Sequence, residues 1–166
     1  MAVQPIVLLG DPRLYQVCEP VHQEEVSNLQ SVIQDLHDTL LDFRKRYGAG
    51  RAIAAPQIGV MKRIIYMNIV RDDQEVSIAF LNPELEALSE ERFAMWDDCM
   101  SFPHLMVHLY RHKSCKIKYR DMEWNQQIMD LEDDLSELLQ HECDHLDGVL
   151  AISRAIDDRA FRYRTF

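Results

Sequence analysis

The chain has 166 residues, of which 47% are hydrophobic and 28% charged, and its formal net charge is −10. This length and composition are typical of one globular domain, so we expect a single domain over residues 1–166. The acidic balance argues against direct nucleic-acid binding, and no window approaches the ~20 apolar residues of a membrane span. The apolar run at residues 6–9 is too short for a signal peptide, so we expect a cytoplasmic protein.

The first half of the chain predicts one long helix followed by strands. Residues 24–47 keep one face apolar at nearly the helical period, and Gly48 and Gly50 follow as helix-ending residues. Asn82-Pro83 is expected to interrupt the strands. Strand-like patterns lie at residues 63–69, 76–81 and 85–88.

The second half predicts two further strands and a final helix. Residues 114–119 alternate as a strand, and Trp124-Asn125 indicates a turn before another short strand. From Leu131 to Leu146 apolar residues recur at nearly the helical period, and Gly148 suits the end of a helix. Several consecutive strands between two helices predict a segregated α+β fold rather than repeating βαβ units.

The final helix carries His-Glu-x-x-His at residues 141–145. On a helix, His141 and His145 lie one turn apart on one face, a spacing at which two imidazoles can bind one metal ion. Glu142 adjoins the first ligand and can act as general base on a water bound to that metal. The same pentapeptide also arises by chance in acidic helices, where the two histidines are surface residues.

A third ligand is expected upstream. Glu142 is the last Glu of the chain, and Ala151 stands where the extended motif has its His, so a downstream Asp is the weaker option. Cys99 lies in a polar cluster at residues 96–103, and its thiolate would complete a Cys-His-His site with one open position. On physical grounds alone, Asp97 or Asp98 is an equally good candidate.

The other three cysteines are interpreted as structural. Cys18, Cys115 and Cys143 are far apart and form no Cys-x-x-Cys, so neither a zinc ribbon nor a disulfide framework is expected. Cys143 points away from the ligand face of its helix, and Cys115 alternates with strand residues. We expect all three to behave as small buried hydrophobic residues.

Three separated segments resemble the peptide deformylase family. Residues 50–59, Gly-Arg-Ala-Ile-Ala-Ala-Pro-Gln-Ile-Gly, are similar to Gly-x-Gly-Leu-Ala-Ala-x-Gln of the family. Residues 97–101, Asp-Asp-Cys-Met-Ser, are similar to Glu-Gly-Cys-Leu-Ser, and residues 140–146 match Gln-His-Glu-x-Asp-His-Leu. The resemblance implies an α+β fold of mostly antiparallel strands around a C-terminal His-Glu-x-x-His helix, with a long N-terminal helix. The implied activity is hydrolysis of the N-formyl group from the formyl-methionine of nascent polypeptides.

The resemblance also implies a role for each motif residue. Cys99, His141 and His145 would bind one divalent metal ion, which is ferrous iron in many family members, with zinc, nickel or cobalt as substitutes. Glu142 would take a proton from the attacking water and later pass it to the leaving amine. Gln57, through its side chain, and Met100, through its backbone N–H, would hold the developing oxyanion. Gln140 and Asp144 flank the ligands, where either a ligand-orienting or a structural role is open.

The chain departs from the family where substrate recognition is expected. Ala52 replaces a glycine on the segment that pairs with the peptide, and Arg51 and Glu137 replace apolar residues of the methionine pocket. An ion pair between Arg51 and Glu137 would remove apolar area, so we expect weak catalysis on formyl-methionyl peptides and a relative gain for polar first side chains. The alternative is that both side chains turn toward solvent and leave an ordinary pocket. The candidate substrate-binding residues are Gly50, Arg51, Ala52, Asp97, Asp98 and Glu137.

Two alternatives to a formyl-methionine deformylase stay open. One is a related amidase with a more polar pocket that acts on a different formyl or short acyl amide. The other is a metal-stabilised, catalytically weak binding protein, which Glu142 and Gln57 disfavour because a structural site needs neither. Residues 153–166 hold four arginines against two aspartates, an excess of two positive charges. We expect a solvated terminus there, with weak ribosome association as the alternative.

Overall fold

The computed structural model describes residues 2–165. This part of the chain forms two α-helices, α1 (Gln30–Tyr47) and α2 (Asp133–Leu146). Its eight strands are β1 (Ala52–Ala54), β2 (Ile64–Arg71), β3 (Gln74–Glu86), β4 (Arg92–Asp98), β5 (Leu105–His112), β6 (Ser114–Arg120), β7 (Gln126–Glu132) and β8 (Phe161–Tyr163). Short 3-10 helices lie at Pro12–Tyr15, Gln23–Asn28, Ala55–Ile58 and Ala151–Arg154. None of the helices described is long and apolar enough to cross a membrane.

The strands form two sheets in which all neighbours are antiparallel. The larger sheet has the order β1-β2-β3-β6-β7, and the smaller one has the order β4-β5-β8. The predicted α+β fold of mostly antiparallel strands, with a long N-terminal helix and a C-terminal His-Glu-x-x-His helix, is confirmed.

The two helices pack on opposite faces of the larger sheet. Successive residues of a strand point to opposite faces, so Ala52 and Ala54 of β1 contact one helix while Ile53 contacts the other. The face with Ala52 and Ala54 shares a core with Leu139 of α2. The face with Ile53 shares a core with Leu40 of α1. Strand β1, which belongs to the first family-like segment, is therefore held directly against the His-Glu-x-x-His helix.

The predicted helix over residues 24–47 is divided into two pieces. A 3-10 helix occupies Gln23–Asn28, and α1 begins only at Gln30. The Glu25 carboxylate accepts the backbone N–H of His22 at 2.7 Å, which caps the short helix as a separate element. Gly48 ends α1 in the left-handed conformation, with φ of 66°, as expected.

Asn82-Pro83 interrupts the strand pairing, as predicted, but it does not divide the strand into two. Strand β3 continues to Glu86, and its register with β6 shifts between Leu81 and Glu84. Asn82 takes a φ of 49°, and its side-chain amide bonds the N–H and the carbonyl of Val21, each at 2.8 Å. The irregularity is thus a bulge that a side chain stabilises.

Strands β4, β5 and β8 have no counterpart in the sequence prediction. The side chains of residues 161–163 are exposed, in agreement with a solvated terminus, but their backbone is held in place because β8 pairs with β5 in the smaller sheet. Arg164 continues this docking through an ion pair with Asp98. Phe166, the last residue of the predicted tail, lies outside the described residues.

Candidate metal centre and active site

Three buried side chains from two parts of the fold converge on one point. Cys99 directly follows β4, while His141 and His145 lie one turn apart on α2. The Nε2 atoms of the two histidines are 3.2 Å apart, and Cys99 Sγ lies 3.3 Å from Nε2 of His145. The three donor atoms all lie within 4.8 Å of one another. One sulfur and two imidazole nitrogens suit zinc or iron better than magnesium or calcium.

Asp97 fixes the orientation of the first histidine. Its Oδ2 atom lies 2.9 Å from His141 Nδ1, so the Nε2 atom of the same ring is turned toward the cluster. Asp97 is therefore on the far side of the ring and does not share the ligand position. The Asp98 carboxylate pairs with Arg164 instead. Of the three upstream candidates for a third ligand, only Cys99 has its donor atom beside the Nε2 atoms of the two histidines.

A buried arginine extends this arrangement. Arg111 is 3% exposed, and its Nη2 donates to Asp97 Oδ2 at 2.9 Å. Its Nη1 donates to Asp144 Oδ2 at 2.7 Å, and Asp144 also accepts from Arg154 Nε at 2.6 Å. Alternating charges thus lead from Arg154 at the surface to His141. Asp144 reaches the ligands through this series of contacts, which supports the ligand-orienting role for it.

The sequence patterns do not identify Arg111 as a site residue, although they contain a signal for it. Val107, Leu109 and Arg111 occupy alternate positions of β5, and all three are buried. A charged residue on the apolar face of a strand needs buried partners, and such partners often belong to a functional site. That inference requires residues 105–112 to be identified as a strand first.

Burial and neighbouring charges together set the protonation of the candidate ligands. Burial would raise the pKa of Asp97, but His141 and Arg111 outweigh it and hold that pKa well below its usual value. Burial would lower the pKa of His141, but Asp97 and Cys99 raise it well above its usual value. Burial and the adjacent His141 lower the pKa of His145 well below its usual value. Asp97 is therefore an anion at neutral pH, and His145 is an uncharged imidazole ready to act as a ligand.

Glu142 lines the same cavity as Cys99 and His141. It is 4% exposed, and no residue among 2–165 provides a hydrogen-bond partner for its Oε2 atom. Burial raises the pKa of Glu142 to about 7. A carboxyl group with a free oxygen and a pKa near neutrality can both accept and donate a proton.

Gln57 presents its amide nitrogen to the cluster. Its Oε1 atom accepts the backbone N–H of Ala54 at 3.0 Å, which fixes the amide plane. Its Nε2 atom lies 3.6 Å from Cys99 Sγ and 3.2 Å from Ser101 Oγ. Met100 lines the same cavity. A hydrogen-bond donor is thus in place beside the ligands, and the oxyanion roles of Gln57 and Met100 stay predictions.

Gln140 holds the helix in place. Its Oε1 atom accepts the N–H of His112 at 3.0 Å, and its Nε2 donates to the His112 carbonyl at 2.9 Å. These two bonds tie α2 to the end of β5. Of the two roles left open for Gln140, the contacts support the structural one.

The cavity above the cluster measures about 50 Å³. Its charged wall is an ion pair in which Arg51 Nη2 donates to Glu137 Oε1, as the sequence predicts. The Arg51 side chain is 41% exposed and that of Glu137 only 5%. Burial raises the pKa of Glu137, and Arg51 opposes this shift. The cavity is lined by the six candidate substrate-binding residues, the ligands Cys99 and His141, and Phe43, Gln57, Met100, Leu138 and Glu142.

Gly50 and Ala52 shape the backbone at the edge of this cavity. Gly50 has a φ of 119°, a backbone conformation that is strained for a residue with a side chain. A Cβ atom at this position would lie 3.3 Å from Leu40 Cδ1. Ala52 is 4% exposed, and it belongs to the core that β1 shares with α2. The Ala52 methyl group is therefore part of the packed wall of the cavity.

The remaining cysteines are free and buried, as predicted. Cys115 and Cys143 belong to the core between the larger sheet and α2. Burial raises the pKa of Cys18 to about 11, so its thiol is protonated at neutral pH.

Comparisons with known proteins agree with this arrangement. A model of the family described as Polypeptide deformylase matches residues 3–160. The peptide deformylase of Leptospira biflexa is 32% identical, over 98% of this chain and 93% of the relative. That of Hyphomonas neptunium is 35% identical, over 96% and 90%.

Solved structures give the same result. The peptide deformylase of Thermotoga maritima has a TM-score of 0.83 at 30% identity and covers 95% of this chain and 100% of the other. A peptide deformylase from Legionella pneumophila has a TM-score of 0.83 at 32% identity, with coverages of 92% and 86%. Both are similar to this chain in fold and in sequence.

Proposed function

Because the chain belongs to the polypeptide deformylase family, a family of metal-dependent hydrolases, we propose that it removes the N-formyl group from formyl-methionine at the start of nascent polypeptides. The observation that supports this most is the convergence of Cys99, His141 and His145 beside the unpartnered Oε2 of Glu142. Hydrolysis of an amide needs a Lewis acid, a base and donors for the oxyanion, and the chain has a residue for each part.

The family uses a divalent metal, and the Cys-His-His cluster fits one. We propose ferrous iron as the native ion, with zinc, nickel or cobalt as substitutes. Such an ion supplies Lewis acidity, which polarises a carbonyl group and makes water at the open position more acidic. Asp97 would hold His141 in the tautomer that leaves Nε2 free for the ion.

The side chains around the cluster would move the protons. Glu142 takes a proton from the attacking water and then delivers it to the nitrogen that leaves as the free amine. Gln57 Nε2 and the N–H of Met100 donate to the formyl oxygen as negative charge develops on it. A group with a pKa near neutrality suits both halves of this transfer, because it exchanges protons readily in either direction.

A second candidate function is supported by the Arg51–Glu137 pair. An apolar pocket favours methionine, whereas this cavity carries a charged wall and has a volume of about 50 Å³. A related amidase that acts on a formyl or short acyl amide with a polar first side chain would suit such a cavity. The third candidate, a catalytically weak binding protein, does not explain why Glu142 and Gln57 lie beside the cluster.

We further propose that residues 1–166 act as one domain in the cytoplasm and associate at most weakly with the ribosome. Arg154 and Arg164 of the terminal segment already pair with Asp144 and Asp98. Arg159 is exposed and takes part in no ion pair within residues 2–165. Salt-sensitive sedimentation with ribosomes that disappears when residues 153–166 are removed would support the association.

The test of the proposed function is formate release by metal-loaded wild type and Glu142→Ala. The variant is expected to keep a full complement of metal and to lose at least ~10²-fold in kcat, the scale of a general acid–base contribution. Glu132→Ala, at an exposed position just before α2, is the matched control and should behave as the wild type. Unchanged turnover in metal-loaded Glu142→Ala would refute the role of Glu142.

A further inference from the structure

We propose that a groove beside the metal cavity binds a carboxylate group of the formylated substrate, and that Arg44 is the residue that recognises it. This inference rests on the proposed function, because it concerns the substrate of the same site. It assigns a specificity-determining residue that lies outside the three family-like segments.

The groove continues directly from the metal cavity. It has a volume of about 520 Å³, against about 50 Å³ for the cavity. The two spaces share Gly50, Arg51 and Asp98 as lining residues. A substrate whose formyl group lies at the cluster therefore extends into the groove, because the cavity itself is too small for more than a few atoms.

The groove is locally basic on an acidic protein. Its charged lining residues are four arginines and two aspartates, whereas the chain as a whole has a formal net charge of −10. Three of the arginines are neutralised by ion pairs: Arg51 with Glu137, Arg71 with Asp134, and Arg164 with Asp98. The fourth, Arg44, takes part in no ion pair within residues 2–165.

Arg44 is held rigidly by uncharged acceptors. Its Nε donates to the carbonyl of Gly50 at 3.0 Å. Its Nη1 donates to Asn68 Oδ1 at 2.8 Å, and its Nη2 donates to the Asn68 carbonyl at 2.6 Å. Asn68 is fully buried, which keeps these acceptors in place. The half-buried guanidinium therefore has a fixed plane and no counter-charge.

The remaining donors of Arg44 match a carboxylate. A guanidinium has five N–H groups, and Arg44 uses three of them, so each terminal nitrogen retains one. Each retained donor belongs to a charged group and can form a charge-assisted hydrogen bond to one carboxylate oxygen. A peptide substrate offers this group in two places, an acidic side chain or the carboxylate at its C-terminus.

The test compares acid and amide forms of short formyl peptides on the metal-loaded enzyme. Comparison of formyl-Ala-Ala-Ala with its C-terminal amide tests whether the terminal carboxylate is recognised. Formyl-Ala-Asp-Ala-amide against formyl-Ala-Asn-Ala-amide examines the side chain. In at least one pair, kcat/KM should favour the acid by roughly tenfold, the effect of one charge-assisted hydrogen bond.

Substitutions assign this preference to a residue. Arg44→Gln should bring the ratio of acid to amide to about one, since the charge is gone. Arg46→Gln is the matched control, because Arg46 lies on the same helix but pairs with Asp42 outside the groove, and its ratio should equal that of the wild type. If Arg44→Gln does not fold, Arg44→Lys keeps the charge and loses the fixed planar donors, and a reduced ratio supports the inference. Equal kcat/KM within both pairs, or a wild-type ratio in the Arg44 variant, would overturn it.

Binding without turnover separates this inference from the proposed function. Calorimetry on metal-loaded Glu142→Ala should give a Kd that is lower for the acid than for the amide, and Arg44→Gln added to this variant should abolish the difference. If the acid binds with a lower Kd than the amide but the wild type releases no formate, the carboxylate site in the groove is supported and the proposed hydrolysis is rejected. If the wild type releases formate but the acid and the amide bind with equal Kd, the proposed hydrolysis is supported and the carboxylate site in the groove is rejected.

Discussion

Arg51 and Glu137 are 86 residues apart in the chain, yet they form an ion pair in the wall of the metal cavity. The Arg51 side chain is 41% exposed, whereas the Glu137 side chain is only 5% exposed. Loss of its partner therefore destabilises the glutamate more than the arginine. Water can solvate the arginine if its partner is lost, whereas the glutamate is almost fully shielded from water.

The first prediction follows from this asymmetry. Arg51→Ala should lower the free energy of unfolding by about 1–3 kcal/mol, because it leaves a buried carboxylate unpaired. Glu137→Ala should lower it by less than about 1 kcal/mol, as for a partly exposed ion pair. Urea unfolding monitored by circular dichroism measures both values. Equal losses, or a larger loss in Glu137→Ala, would contradict this account of the pair.

The stability of Arg51→Ala should also depend on pH, in a direction that the pKa of Glu137 determines. Burial raises the pKa of Glu137, and removal of Arg51 takes away the opposing charge, so the folded-state pKa rises further. Between the unfolded pKa of about 4.3 and that raised value, the folded protein binds more protons than the unfolded chain. The stability of Arg51→Ala relative to wild type should therefore fall as the pH rises through this interval. A constant difference across the interval would reject the burial of Glu137 as its cause.

The second prediction concerns the first side chain of the substrate. With a charged cavity wall, kcat/KM for a formyl-Met tripeptide should exceed that for formyl-Lys or formyl-Glu tripeptides by less than ~100-fold, near the most that one apolar side chain provides. The double substitution Arg51→Ile with Glu137→Ile should raise the methionine preference by roughly tenfold or more, because it restores apolar area. Arg51→Lys with Glu137→Asp keeps the charges and is the control. A wild-type preference above ~100-fold would contradict the polar-cavity interpretation.

A third prediction tests the contact between Asp97 and His141. Asp97→Asn removes the negative charge that orients the ring, so the Kd for the metal should rise about 10- to 100-fold. Asp98→Asn is the neighbouring control, since the Asp98 carboxylate pairs with Arg164 rather than with a ligand. Competition with a chromogenic chelator measures both constants. The idea fails if Asp97→Asn and wild type bind the metal equally tightly.

The fourth prediction concerns the identity of the metal. If the native ion is ferrous, activity should decay in air, because the iron itself is oxidisable whereas zinc and nickel are not under these conditions. Protein purified without oxygen should keep its activity, and zinc- or nickel-loaded protein should be stable in air. Equal and stable activity in aerobic and anaerobic preparations with the same metal content would exclude iron.

Local patterns in the sequence predict the centre of this site well. His141, Glu142 and His145 lie within two helical turns, so the period of the helix alone brings them together. The resemblance to the family adds Cys99, which physical reasoning ranks no higher than Asp97. The predicted ion pair between Arg51 and Glu137 also depends on the resemblance, because only the family's pocket indicates that these positions are near each other.

The parts that the sequence did not predict depend on long-range pairing. Arg111 and Asp144 are 33 residues apart and meet only because β5 packs beside α2. Arg111 follows Val107 and Leu109 on the buried face of β5, and its charge breaks the apolar pattern of that face, so the strand itself is hard to identify. Strand β8 is likewise defined by its pairing with β5 rather than by an apolar pattern, since all three of its residues are exposed.

The central claim is that one divalent metal, held by Cys99, His141 and His145, makes this chain a deformylase. The most direct measurement is formate release from a formyl peptide while metal is returned to chelator-treated protein under anaerobic conditions. The account predicts that the treated protein is inactive and that activity rises linearly to a plateau at one metal ion per chain. Formate release that survives complete removal of the metal, or that does not return at one equivalent, would contradict it.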